Sequence, residues 1–166
     1  MAKVVFKVGD DVSTDIIYPG RFMATVLPSE TPQFAFVDYP EFNAKIKKKE
    51  FPPQSIIVAG KNFGCGSSRE QAASCLKGPD FVVVARNFSR IFLQNAINLG
   101  LKMVICPTID ANEGDELEFG TDQVSNKTTG KNFPIVALPK ARQVIIDAGG
   151  LIPFTRKLLL EGKGKS

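Results

Sequence analysis

Ser55-Ile56-Ile57-Val58-Ala59-Gly60-Lys61-Asn62-Phe63-Gly64-Cys65-Gly66-Ser67-Ser68-Arg69-Glu70 is the stretch that decides the fold. Its unbroken apolar run reads as a strand buried on both faces. The glycines that follow turn the chain sharply, and Ser67-Ser68-Arg69-Glu70 opens a short helix that Gly78 and Pro79 stop. Ser67 and Glu70 have the spacing of a capping box, a device found at many helix starts without any function. The same residues also suit an anion. Glycines admit a ligand close to the backbone, a helix start offers unpaired N–H donors and partial positive charge, and Arg69 carries a planar fork that matches a carboxylate. Two nucleotide patterns fail on detail: no Lys follows Gly66, as a P-loop needs, and Arg69 stands where a dinucleotide fingerprint needs its third glycine.

Working outward, Phe81-Val82-Val83-Val84-Ala85 is a second buried strand. A helix follows with Phe88, Ile91, Phe92, Ala96 and Leu99 on one face and Gly100 as its stop. Leu101-Lys102-Met103-Val104-Ile105-Cys106 is a third strand, closed by Pro107. Strands alternating with helices predict right-handed crossovers and a parallel core sheet. Upstream, Val4, Phe6 and Val8 alternate with Lys3, Val5 and Lys7 as a half-buried first strand. Residues 11–33 form a long irregular connection, and such loops in compact domains are functional or mobile. Residues 34–50 are weakly helical and end in the basic run Lys45-Ile46-Lys47-Lys48-Lys49, which reads as a solvated face. Downstream the texture becomes antiparallel, with strands at Glu116-Leu117-Glu118-Phe119, around Val124 and at Ile135-Val136-Ala137-Leu138, and a turn at Thr128-Thr129-Gly130-Lys131. Pro139 starts a helix with Ala141, Val144, Ile145 and Ala148 on one face, Gly149-Gly150 ends it, and Pro153 begins a last helix. The tail, residues 162–166, is expected to fray. With no repeat or linker, residues 1–166 read as one α/β domain: a parallel core sheet plus antiparallel strands.

Composition narrows the chemistry. The chain has 166 residues, 43% of them hydrophobic and 23% charged, which suits a single folded domain rather than a disordered one. The net charge of +4 is too mild to imply nucleic acid but suits a small anionic ligand. There is no histidine. That removes every Ser-His or Cys-His pair, every histidine metal ligand and every imidazole switch from this chain. Cys65, Cys75 and Cys106 form no metal-binding or cluster-binding run. So sparse a set fits a reducing cytosol and a cytoplasmic protein, and small packed side chains; only Cys65 stands apart, inside the glycine-rich turn. No apolar run approaches the roughly 20 residues of a membrane span, and the first residues go straight into a strand pattern with no leader.

Four stretches in order, Asp11-Val12-Ser13-Thr14-Asp15-Ile16-Ile17, Asn62-Phe63-Gly64-Cys65-Gly66-Ser67-Ser68-Arg69-Glu70-Gln71-Ala72, Thr128-Thr129-Gly130-Lys131 and Ala148-Gly149-Gly150-Leu151-Ile152, resemble the 3-isopropylmalate dehydratase small subunits, the stand-alone form of the aconitase swivel domain. The second of these is the specific one. The resemblance implies a swivelling β/β/α domain that closes over a large partner subunit holding a [4Fe-4S] cluster, with no cofactor bound by this chain. It implies a hydro-lyase of leucine biosynthesis that dehydrates 2-isopropylmalate and rehydrates the alkene to 3-isopropylmalate. In that pattern Ser67 is the catalytic base, Ser68 holds substrate or oxyanion, and Arg69 binds a carboxylate of the small dicarboxylate substrate. A serine hydroxyl is a poor base unless its alkoxide is stabilised, so the site is expected to work only when closed and dry against the partner.

The resemblance extends to specificity. Homoaconitase-type small subunits resemble Tyr-Leu-Arg-Thr where this chain has Phe22-Met23-Ala24-Thr25, with Ala24 in the arginine's place. An unmatched buried carboxylate costs several kcal/mol, so this stretch favours an alkyl group, as in isopropylmalate or 2,3-dimethylmalate, over the third carboxylate of a homoaconitase substrate. Against this stand simple packing roles for Phe22 and Met23, and Arg21 as a second carboxylate ligand. Self-association of the chain in the partner's absence is a further expectation. Two other classes stay open: a non-catalytic regulatory module that binds an anion at the same turn, and a nucleic-acid binder using Lys45 to Lys49. The last is weakest, because the run is short and no RNA motif matches.

Overall fold

The computed structural model describes residues 2–163. Its strands are β1 (Ala2–Lys7), β2 (Ile56–Ala59), β3 (Val82–Ala85), β4 (Lys102–Ile105), β5 (Glu116–Phe119), β6 (Gln123–Asn126) and β7 (Lys131–Pro134). Its helices are α1 (Thr14–Ile17), α2 (Pro40–Lys47), α3 (Gln71–Lys77), α4 (Arg90–Leu99), α5 (Lys140–Asp147) and α6 (Leu151–Lys163), with 3₁₀ turns at Gly20–Phe22 and Thr31–Phe34. The strands form one sheet in the order β4-β3-β2-β1-β5-β6-β7. β1 to β4 run parallel, as the strand–helix alternation requires, and β5 to β7 continue antiparallel from the other edge of β1. Beyond β7, Val136 donates its N–H to Ile105 O at 2.9 Å in an antiparallel bridge. The two ends of the sheet therefore meet.

Successive strand residues point to opposite faces. Val4, Ile56, Val58, Val82 and Val84 point into the enclosed side, where Leu117, Val124 and Phe133 from the antiparallel half meet them. Ile57, Ala59, Val83 and Ala85 point the other way, against Leu76 of α3 and Phe92, Ala96 and Ile97 of α4; Phe6 joins them because the register of β1 shifts between Val4 and Phe6, which breaks the expected alternation of Val4, Phe6 and Val8. Both faces of β2 and β3 are covered, which is why every residue of these strands is apolar.

Several boundaries differ from those expected. The last antiparallel strand is β7, not residues 135–138. Asn126 Oδ1 accepts from the Thr128 and Thr129 amides at 3.1 and 3.2 Å, making a compact turn that pairs Asn126 with Lys131 and starts the strand there. Only Phe133 of β7 points inward, too weak a period to read, and the apolar stretch after it supplies the bridge to β4. On α4 the buried residues are Phe92, Ala96 and Ile97; Ile91 is exposed, and Phe88 precedes the helix, whose N-cap is Ser89. On α5, Ile146 is buried and Ile145 and Ala148 are half-buried, while Ala141 and Val144 are exposed, so only part of the expected face turns inward. The stretch 34–50 is helical only from Pro40 to Lys47. Residues 11–33 are more ordered than expected, holding α1 and the first 3₁₀ turn. The last helix starts at Leu151, because a proline in the first turn removes no helical hydrogen bond. Gly162 and Lys163 continue α6; the remainder of the tail lies outside the described residues.

Candidate functional site

The glycine-rich turn lies at the carboxyl ends of the parallel strands, where open α/β sheets place their ligands. Neighbouring loops grip it on both sides, extending the sheet's pairing beyond the strands. From the loop after β1, the Asp11 amide donates to Lys61 O (2.8 Å) and the Thr14 amide to Cys65 O (2.8 Å), while the Gly64 amide donates to Val12 O (2.7 Å). From the loop after β3, the Ser89 amide donates to Phe63 O (2.9 Å) and the Ser89 hydroxyl to Gly64 O (2.8 Å). Phe63 is buried beneath the turn, edge-on to Phe88 and Phe92. Gly64 has φ +85° and rests on the Phe92 ring, where an added Cβ would collide with the ring carbon Cγ. Gly66, at φ +104°, leaves room for the Thr14 hydroxyl, which would lie 3.3 Å from an added Cβ.

The expected capping box does not form. α3 begins at Gln71 with Glu70 as N-cap, and no side chain caps it. Ser67 stays in the turn, because its partner is on another segment. The Ser67 amide donates to Thr14 Oγ1 at 3.2 Å, and the two hydroxyl oxygens are 3.2 Å apart. Ser67 and Ser68 are exposed, and Asn95 of α4 fixes the Ser68 carbonyl by donating from Nδ2 at 3.0 Å.

Arg69 turns back toward α1. Its Nη1 donates to Asp15 Oδ1 at 3.1 Å and to Tyr18 O at 2.9 Å, while its buried Nε–H has no hydrogen-bond partner among the described residues. The arginine side chain is only 12% exposed, against 70% for Asp15. Asp15 Oδ1 also accepts from the Gly20 amide at 2.8 Å. That amide, and then the guanidinium, hold the Asp15 carboxyl below the ordinary carboxylate range.

The 22–25 stretch borders this cluster. Phe22 stacks on Phe34 with ring centroids 4.1 Å apart and is half-buried; Met23 and Ala24 are exposed. The Tyr18 hydroxyl donates to Phe22 O (2.9 Å) and Thr25 O (3.1 Å), and Gln71 Nε2 donates to Met23 O (3.2 Å). The loop is thus tied to the start of α3, beside Arg69. Arg21 is engaged elsewhere: it pairs with Asp38 and covers the Phe22 ring. Ser67 and Arg69 therefore both meet α1, through Thr14 and Asp15, whereas the 22–25 backbone is tied to Tyr18 and Gln71 and the Phe22 ring packs on Phe34. The sequence alone assigns no role to Thr14, Asp15, Tyr18 or Asn95, although Thr14 and Asp15 fall in the 11–17 stretch that carries the resemblance. The first two sit in a polar Ser-Thr-Asp run inside an otherwise irregular loop, a usable signal; Tyr18 and Asn95 gave none.

Among the described residues no three His, Cys, Asp or Glu side chains converge as metal ligands. Cys75 and Cys106 are buried in different cores, and burial pushes both thiols up from their ordinary pKa. Such a donor set does not fit an iron–sulfur cluster. No helix of the described residues is long and apolar enough to cross a membrane.

Residues 11–106 match the model of the aconitase C-terminal domain, a span that takes in both the Thr14–Asp15 loop and the glycine-rich turn. The chain is 42% identical over 161 residues to a 3-isopropylmalate dehydratase small subunit of Methanosarcina acetivorans, covering 94% of this chain and 96% of that one. It is 44% identical over 165 residues to an isopropylmalate/citramalate isomerase small subunit of Methanocaldococcus jannaschii, covering 96% and 95%. Among solved structures, a 3-isopropylmalate dehydratase (leuD) of Methanocaldococcus jannaschii superposes with TM-score 0.88 at 34% identity, over 99% of this chain and 98% of that one.

Proposed function

The chain belongs to the aconitase C-terminal domain family, and from that premise we propose that it is the small subunit of a 3-isopropylmalate dehydratase, a hydro-lyase of leucine biosynthesis. The observation that carries this is the meeting of Ser67 and Arg69 at an open strand end. One offers an exposed hydroxyl. The other offers a guanidinium held in place by Asp15 and Tyr18 with its Nε–H unpaired. A hydroxyl and a positioned arginine are half of what a dicarboxylate dehydration needs, so a second subunit must close the site and exclude water.

Arg69 binds one substrate carboxylate, the planar fork fixing its direction as well as its charge. Ser67, as alkoxide, takes the proton from the carbon between the substrate's groups. The C–H electron pair becomes the second bond of the alkene while hydroxide leaves the adjacent carbon, and rehydration in the opposite sense completes the isomerisation. Ser68 holds substrate at the same turn. A [4Fe-4S] cluster on the large subunit, which the family resemblance implies, would supply the Lewis acid for the departing hydroxyl. Cys65, Cys75 and Cys106, none of them bonded to another, agree with a cytoplasmic enzyme.

Ala24, where homoaconitase-type subunits carry an arginine, offers no charge for a third carboxylate. An alkyl-substituted malate is the favoured substrate class, and a relative named for both isopropylmalate and citramalate widens it to a shorter alkyl group.

The test is reconstitution. Mixed anaerobically with its cluster-bearing large subunit, the chain should convert 2-isopropylmalate, and alone it should be inert. Ser67→Ala should lower kcat by at least about 10³-fold, on the scale of losing a catalytic group, with assembly intact by size exclusion. A mixture inert on every alkylmalate would instead leave an anion-binding module; full activity of Ser67→Ala would remove the base.

A further inference from the structure

Thr14 is 2% exposed and has no role in the reaction as described above. Its backbone is fixed at both ends: the amide donates to Cys65 O and the carbonyl accepts from the Tyr18 amide, each at 2.8 Å. Its hydroxyl oxygen accepts the Ser67 amide at 3.2 Å. The hydroxyl proton still needs an acceptor. A threonine inside a helix gives that proton to the carbonyl one turn back, but Thr14 is the first residue of α1 and has no such carbonyl. The oxygen within reach is Ser67 Oγ, 3.2 Å away. Gly66 is what permits the approach, since a side chain there would crowd the Thr14 hydroxyl.

We propose that Thr14 is the positioning residue for Ser67: its hydroxyl accepts the Ser67 amide and donates to Ser67 Oγ, stabilising the alkoxide. The inference rests on Ser67 being the base. It answers a need that the fold otherwise leaves open, because α3 starts at Gln71 and there is no histidine to hold the proton. A hydrogen bond to a charged oxygen is about twice as strong as one between neutral groups, so the contact matters most in the ionised state.

The experiment uses the reconstituted two-subunit enzyme with 2-isopropylmalate. Thr14→Val and Thr14→Ala should lower kcat about 100-fold, the scale of losing one oxyanion donor, with KM little changed. The pH at which activity rises should move up by about 2 units, the same factor expressed as a pKa. Thr14→Ser, which keeps the donor, should restore both kcat and the pH profile. The pair with Ser67→Ala should be no worse than Ser67→Ala alone, since both changes act on one oxygen. Parent-like kcat and pH profile in Thr14→Ala, or Thr14→Ser as impaired as Thr14→Val, would overturn the proposal. If Ser67→Ala itself keeps turnover, the base assignment has failed, whatever Thr14 does. Thr14→Ala carries the test if Thr14→Val does not fold, because it adds no bulk to a buried position.

Discussion

Asp15 does two jobs with one oxygen, accepting the Gly20 amide and the Arg69 guanidinium. Both contacts favour the charged carboxylate, the amide more than the arginine, so its pKa in the folded chain lies below the ordinary value. A depressed carboxylate pKa stabilises the fold above the unfolded-state value, about 3.9, and that contribution is lost as pH falls through the folded value. Asp15 is largely exposed, so solvent screening keeps the effect small. Asp15→Asn should therefore melt up to about 3 °C below the parent at neutral pH, and the gap should close below about pH 4. Asp115, held low by the Asn112 amide and the Asn126 side chain, titrates in the same window but is common to both proteins and cancels in the difference. A gap that stays constant down to pH 2 would mean that the Asp15 contacts do not depend on its charge.

The turn and α4 form one packed element, because Gly64 lies flat on Phe92 and Phe63 meets the same ring edge-on. Gly64→Ala faces two costs. A left-handed backbone costs about 1–2 kcal/mol for a residue with a Cβ, and overpacking against a buried ring about 1–3 kcal/mol. A loss of about 2–5 kcal/mol is expected in urea denaturation, and a loss below about 1 kcal/mol would mean that the turn has another conformation of similar energy. Elements set by strong local signals were legible in the sequence: the buried strands β2, β3 and β4, and the stop at Gly100, which adopts φ +77°. What failed depended on contacts distant in sequence. Ser67–Glu70 satisfied the capping-box spacing, yet Thr14, 53 residues away, claims Ser67. Ile91 fitted the apolar stripe of α4, but Phe63 and Gly64 dock on Phe92 and set the helix rotation. β7 carried too little inward hydrophobicity to show before its turn was known. The site's glycines and Arg69 were visible as a pattern; their partners on α1 were not, because spacing along one segment says nothing of what faces it.

Across the whole molecule, the sheet separates two cores. One fills the enclosed side between the parallel strands and β5 to β7, with Leu117 fully buried at its centre. The other lies under the helices and includes Val12, Ile17, Tyr18, Phe63 and Phe92, the residues on which the glycine-rich turn and the α1 loop rest. The sheet is continuous, so either core supports the stability of the whole, but only one touches the site. Leu117→Ala removes a buried side chain and should cost about 2–5 kcal/mol. Leu117 lies on β5, which pairs with β1 and not with β2, the strand that leads into the turn. Its kcat per assembled enzyme should stay at the parent level. Phe63→Ala, about 3–5 kcal/mol by the same scale, leaves a void directly beneath the turn. The Ser67 hydroxyl, the proposed base, then loses its support, and misplacement on the order of 1 Å is enough to cost up to about 100-fold in rate. Measured together by denaturation and by turnover below the melting range, the two variants should lose similar stability and very different activity. Equal activity losses would mean that the two cores are mechanically coupled through the sheet and that the site draws on the enclosed side as well.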